Sequence, residues 1–184
     1  MEQRVELDAR TLRGLAHPLR VRMLGLLRIE GPATASSLAE RLGESSGTTS
    51  WHLRQLAESG LIVEDTERGN RRERWWRSAH DYTMVQLEKF VDDPESLGAL
   101  STFMHEVVDV YYRSAATFVA QAPTWDREWL AAADFADDDL PLTPAELSAL
   151  AAEMHEVMRR YKRPARDGDV PVRVQLQAFP RRRS

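Results

Sequence analysis

The stretch Thr34-Ala35-Ser36-Ser37-Leu38-Ala39-Glu40-Arg41-Leu42-Gly43-Glu44-Ser45-Ser46-Gly47-Thr48-Thr49-Ser50-Trp51-His52-Leu53-Arg54-Gln55-Leu56-Ala57-Glu58-Ser59-Gly60 carries start and stop signals for two helices. Thr34 can accept a bond from the free amides of a first turn, and Leu38, Ala39 and Leu42 follow at helical spacing. Gly43 suits the left-handed residue that helices often need just past their end. Ser45 or Ser46 can cap the next helix, which runs through Thr48, Trp51, Leu53 and Leu56 to Gly60. Two short helices joined by a tight glycine-containing turn form a helix-turn-helix pattern.

Toward the N-terminus, Leu12, Leu15 and Ala16 keep helical spacing up to His17-Pro18. Proline disfavours helix in the residue before it and is well tolerated at a helix start, so a further helix is expected from Pro18. Val21, Met23, Leu24, Leu26, Leu27 and Ile29 make it apolar, Gly31-Pro32 ends it, and Arg20, Arg22 and Arg28 are expected on its solvent side. Toward the C-terminus the period changes after Gly60. Leu61, Ile62, Val63 and the polar run to Glu67 read as a strand, and Arg68-Gly69-Asn70 as a turn. Arg71 to Arg77, with Trp75 and Trp76, reads as the returning strand, giving an Arg-rich wing after the helix pair.

The second helix of such a pair enters the major groove of duplex DNA with its N-terminal turns facing base edges. Here those turns hold Ser45, Ser46, Gly47, Thr48, Thr49 and Ser50. Small residues permit close approach, and hydroxyls bond to bases or phosphates. Arg54 stands one turn further on, placed for a phosphate, and Arg68, Arg71, Arg72 and Arg74 of the wing could hold the neighbouring backbone or reach a minor groove. Each feature alone has a plainer explanation: Ser45 as a cap, the Ser/Thr run as a polar face, the arginines as a solvated hairpin. Their order in the chain is what points to duplex DNA.

The net charge of −4 hides an uneven distribution. Residues 1–80 hold 13 Arg, no Lys and 11 acids, whereas residues 81–184 hold 12 basic and 18 acidic residues. Phosphate binding depends on local charge, and arginine suits bidentate phosphate and guanine contacts.

The segments Leu15-Ala16-His17-Pro18-Leu19-Arg20-Val21-Arg22-Met23-Leu24, Ala35 to Gly43, Thr48 to Leu56 and Glu58-Ser59-Gly60-Leu61-Ile62 resemble the ArsR-type winged helix-turn-helix repressors, continuously over residues 11–78. The resemblance implies a homodimer, a recognition helix at 45–58 and a roughly palindromic operator. By position, Ser46, Gly47, Ser50 and Trp51 fall where that family usually contacts bases. Two departures stand out: Gly47 where a side chain is common, and the bulky Trp51 where the family tends to have a polar residue. Trp51 could pack on a thymine methyl or a sugar, or be covered by protein.

In the second half, Leu97, Leu100, Met104, Val107, Val108, Tyr111, Ala115 and Phe118 recur every three or four residues and predict a long helix over 95–121, the candidate dimer interface. Thr143, Pro144 and Glu146 form the start of another helix with a capping box, whose stripe is Leu147, Leu150, Met154, Val157, Met158 and Tyr161. Val172, Val174 and Leu176 alternate with Arg173, Gln175 and Gln177, a pattern that predicts a strand within 171–179. The tetrad Met-His-Glu-Val occurs at 104–107 and again at 154–157, which two amphipathic helices can share by chance.

The expected architecture is mostly α with a small β part (α+β): a winged helix-turn-helix domain over 8–80 and a helical domain with a short β element over 81–184. The second would dimerise the chain and, through Tyr111, Tyr112, Phe118, Trp125, Trp129 and Phe135, could hold an apolar small-molecule effector. His105 and Asp109 lie one helical turn apart, but further ligands are wanting nearby, so a surface pair is expected and no metal or other cofactor. Without cysteine there is no thiolate site, disulfide or redox switch. No stretch reaches the roughly 18 apolar residues of a membrane span, and Met1 to Arg10 lacks a signal-peptide core, so a cytoplasmic location is expected. No nucleophile–base pair, phosphate-binding glycine loop or HExxH motif suggests an enzyme. The competing reading is a winged-helix module for protein–protein assembly, whose contact face should be richer in aromatics and poorer in serine.

Overall fold

The computed structural model describes residues 4–68 and 73–182. Asp8 opens the first helix, α1 (Ala9–Leu15), by accepting from the Thr11 amide at 2.8 Å, while the Thr11 hydroxyl accepts from the Asp8 amide at 2.9 Å. That reciprocal capping box satisfies two amides a helix start leaves orphaned. Helix α2 (Pro18–Ile29) begins at the expected proline, with His17 rather than a hydroxyl residue as its cap. Thr34 caps α3 (Ala35–Leu42) through a box with Ser37, and Gly43, at φ 68°, ends it. Ser45 caps α4 (Ser46–Glu58).

Three strands make the wing sheet in the order β2 (Ala33–Thr34), β4 (Trp75–Ser78), β3 (Ile62–Glu64), both pairings antiparallel. Ile62 faces Ser78 in the register and Glu64 faces Trp76. The returning strand therefore starts at Trp75, while Gly69, Asn70, Arg71 and Arg72 of the expected turn and strand lie outside the described residues. A second, parallel pair joins β1 (Arg4–Glu6) to β5 (Tyr82–Met84). Beyond it runs α5 (Pro94–Ala120). These elements form one compact unit that ends at Ala120. Its core joins Leu12 and Leu15 of α1, Met23 and Leu27 of α2, Leu38 of α3, Leu53 and Leu56 of α4, and Leu100 and Phe103 of α5.

The second unit, from Gln121 onward, holds α6 (Arg127–Ala132) and α7 (Pro144–Tyr161). Thr143 and Glu146 build the expected capping box of α7, with the Thr143 amide donating to Glu146 Oε2 at 2.7 Å.

Three expectations need correction. Residues 171–179 form no ladder; Val172 and Val174 are 68% and 66% exposed, because alternation makes a strand only where a sheet edge is free to pair. Among the described residues no strand follows β5, which belongs to the first unit through its pairing with β1. Arg20, Arg22 and Arg28 do not line a solvent face: all three are half-buried, since α4, α5 and the root of the wing pack around α2. Ile29, counted among the residues that make that helix apolar, is 57% exposed.

Candidate nucleic-acid interface

Helix α4 has two faces of opposite character. Thr49, His52, Leu53 and Leu56 are buried; Ser46, Gly47, Thr48, Trp51 and Arg54 are exposed, and Ser50 lies between. The burial of one side fixes which residues the other presents. Gly47, Trp51 and Arg54 succeed one another at spacings of four and three along the exposed face, the helical rule for neighbours.

The N-terminal turn is held by its own hydroxyls. Ser45 Oγ accepts from the Thr48 amide at 3.0 Å and sits 2.8 Å from Thr48 Oγ1, while Thr49 Oγ1 donates to the Ser45 carbonyl at 3.0 Å. Ser45 and Thr48 are thus engaged with each other, whereas the hydroxyls of Ser46 and Ser50 take no part in holding this turn. At the other end, the Arg10 guanidinium donates to the Glu58 carbonyl, and Gly14 lets α1 cross close to Ser59. An added Cβ at Gly14 would stand 2.4 Å from Ser59 Oγ. The last turn of α4 is therefore pinned and its first turn projects.

Behind the exposed face lies a pair of imidazoles. His17 and His52 rings are 4.3 Å apart, and Trp51 meets His52 edge-on at 4.8 Å and 77°. His17 Nδ1 accepts from the Leu19 amide at 3.1 Å, so that nitrogen carries no proton while it caps α2. His52 is 5% exposed and its buried Nδ1 has no hydrogen-bond partner among the described residues. Burial holds both imidazoles below their ordinary pKa; nearby Arg20 adds to this and Glu44 opposes it.

Of the wing arginines, Arg68 Nε lies 3.6 Å from Asp65, and Arg74 Nε lies 3.2 Å from Glu64 with its guanidinium 5.6 Å over the Trp76 ring. Both remain more than half exposed. Arg71 and Arg72 lie outside the described residues. Arg54 is exposed and makes no ion pair among the described residues.

Sequence reasoning missed Arg28. Its Nε donates to the His80 carbonyl at 3.1 Å and approaches Ser78 Oγ at 3.4 Å, so it joins α2 to the root of the wing. Burial pulls its pKa down to about 10, against the pull of Asp81. No local signal marks it, since its partners are 50 and 52 residues away. His105 and Asp109 do not converge on a common point: His105 Nδ1 lies 2.7 Å from the Ser101 carbonyl, and Asp109 pairs with Arg113 at 2.7 Å. Among the described residues no group of three or more His, Asp or Glu is placed to hold a metal ion, and no helix is long and apolar enough to cross a membrane.

A helix-turn-helix domain family matches residues 15–65, which span α2, α3, α4 and β3. Among solved structures, the chain is similar to a double mutant of Lactococcus lactis ZitR in its apo form, at 14% identity and a TM-score of 0.34, over 80% of this chain and 84% of that one. It is also similar to the transcriptional regulator Tm0710 from Thermotoga maritima, at 12% identity and a TM-score of 0.32, over 78% and 77% of the two chains. No curated protein matches the sequence.

Proposed function

We propose that this winged helix-turn-helix protein, a DNA-binding transcriptional regulator, acts as a homodimeric repressor of the ArsR type on a roughly palindromic operator. The observation that carries the reading is the exposed face of α4: small and hydroxyl-bearing at its free N-terminal end, and backed by a fully packed opposite face. Such a helix fits a major groove, where the approach of the backbone decides which edges are reached.

Within this reading Ser46, Gly47, Ser50 and Trp51 face bases, and Ser45 and Thr48 hold the helix start beside the backbone. Arg54 meets a phosphate. Arg68, Arg71, Arg72 and Arg74 approach the flanking backbone. Residues 8–80 carry the DNA contacts and residues 81–184 dimerise the chain, in the cytoplasm where its DNA lies. Leu97, Val108, Tyr112 and Val119 leave an apolar stripe exposed along α5, which suits a partner helix. Tyr112 and Phe135, two of the aromatics expected to line an effector pocket, are 70% and 65% exposed, so the proposal includes no effector.

The test is selection of duplexes from a random pool by the full chain at two salt concentrations. An inverted repeat whose affinity falls steeply with salt is the expected result, since neutralised phosphates release counterions. Recovery of no motif, with binding only weak and salt-sensitive, would overturn the proposal in favour of a protein partner.

A further inference from the structure

Trp51 is the one large apolar side chain on the exposed face of α4, and it is 49% exposed. Its indole stands edge-on against the buried His52 ring, which braces it from below. Exposed indole contributes little to folding, because burial is what stabilises apolar surface. Gly47, one turn toward the N-terminus, leaves a gap beside it: a Cβ there would meet nothing nearer than Ser45 Oγ at 3.8 Å. Nor does the backbone require glycine at that point, since Gly47 is not among the positive-φ residues. The free end of α4 is thus an apolar ridge next to a notch, flanked by the hydroxyls of Ser46 and Ser50.

A major groove offers such a ridge one apolar partner. Its base edges present hydrogen-bond donors and acceptors, except for the 5-methyl group of thymine. The exposed face of α4 meanwhile holds no Asn to read adenine in bidentate fashion; Gln55 is only half-exposed and donates to Glu58 at 2.9 Å, and Arg54, the one guanidinium there, is assigned to a phosphate. We infer that Trp51 reads thymine 5-methyl groups in the major groove, and that the absent side chain at Gly47 lets the helix seat deeply enough for it to do so. The inference rests on the DNA-binding reading above and names what sets its sequence preference.

The test works on the DNA and leaves the fold alone. The duplex recovered from the random pool is resynthesised with deoxyuridine in place of thymidine, which removes the methyl groups and keeps every base pair. Affinities are measured for the full chain and for Trp51→Ala, with circular dichroism confirming that the variant is folded. The unaltered protein should lose about fourfold per methyl contacted, the value of one buried methyl-sized group. Trp51→Ala should bind the thymine duplex more weakly and hold the two duplexes alike. Indifference of the unaltered protein to the missing methyls would overturn the inference, and so would an equal loss in both proteins. Failure to recover any duplex would instead remove the DNA-binding reading on which it rests.

Discussion

Arg22 Nε lies 2.6 Å from Glu106 Oε1, and Arg113 Nη2 reaches the same oxygen at 3.0 Å. Glu106 is 7% exposed, so the carboxylate is a buried anion shared by guanidinium groups of α2 and α5. Losing one member of such a pair strands the other's charge, which costs more than the pair itself contributes. Glu106→Gln should destabilise the chain by about 1–3 kcal/mol, discounted because both arginines keep access to water. Arg22→Met should cost less, since Arg113 stays on the carboxylate. Urea unfolding of both variants checks the order; a Glu106→Gln chain as stable as its parent would mean that the pair holds nothing.

The imidazoles behind the exposed face of α4 give the fold an acid limit. Both His17 and His52 have pKa values held below the ordinary imidazole value by burial, so the unfolded chain binds their protons more readily than the folded one. Stability is therefore complete above the unfolded pKa and is lost as pH falls through the folded values. A proton on His17 Nδ1 would also remove the acceptor of the Leu19 amide, and with it the cap of α2. The urea midpoint should fall between about pH 7 and about pH 5. His17→Asn, which keeps a capping acceptor but does not titrate, should flatten that fall. Asp8, whose pKa its bonds from Thr11 hold low, titrates below this window. An unchanged slope in His17→Asn would assign the acid limit elsewhere.

Two helical glycines should respond to alanine in opposite ways. At Gly14 the new Cβ would lie 2.4 Å from Ser59 Oγ and 2.7 Å from Ser59 Cβ, so α1 and α4 would have to separate and stability should fall. At Gly47 the space is open, and Gly47→Ala should raise stability by about 0.5–1 kcal/mol. It should at the same time weaken binding to the selected duplex, because the notch beside Trp51 is filled. Thermal unfolding and DNA titration of the same protein separate the two effects; a stabilised variant with undiminished affinity would show that the helix does not approach closely there.

Arg54 and Arg74 should differ in what they give to a salt titration. Arg54→Ala should reduce the slope of log affinity against log salt by about 0.9 for each phosphate it no longer neutralises. Arg74 is already paired with Glu64 at 3.2 Å, so Arg74→Ala should matter less, and Glu64→Gln should strengthen binding by freeing it. Fluorescence anisotropy over a salt series checks all three. Equal slopes for Arg54→Ala and the parent would place Arg54 away from the backbone.

The helix pair was legible because its signals are local. Thr34, Gly43, Ser45 and Gly60 mark the ends of α3 and α4 within a residue or two, and each cap works through atoms at most four residues away. Partnership at long range leaves no such mark. Nothing near Arg22 announces Glu106, 84 residues on, and nothing near Arg28 announces His80, so both arginines read as solvent-facing. The parallel seam of β1 and β5 was illegible for a related reason: each strand is three residues long, too short for alternation to register. Residues 171–179 fail in the converse way, with a clear alternation and no edge to pair with. On the candidate interface, the sequence put Thr49 among the groove-facing hydroxyls although it is fully buried, left Trp51 open between exposure and cover, and gave no sign that His52 lies under Trp51 as its brace.

The seam between Arg4–Glu6 and Tyr82–Met84 also sets an order of events in time. The ion pair of Lys89 with Glu6, 83 residues apart, and that of Arg22 with Glu106 close loops of similar length. Loops of that size carry a large closure entropy, whereas the α3–α4 pair closes through near neighbours. Helices α3 and α4 should therefore condense early, and the β1–β5 seam and the packing of α5 late. On the ribosome, β1 emerges well before Tyr82–Met84, the strand with which it pairs. A nascent chain stopped near residue 80 holds Leu7, Leu12 and Leu15 without the Phe90, Leu100 and Phe103 that complete their core. The exposed face of α4 and the elements that complete the core beneath it are thus separated in order of synthesis, and that core closes only when the long helix α5 has been made.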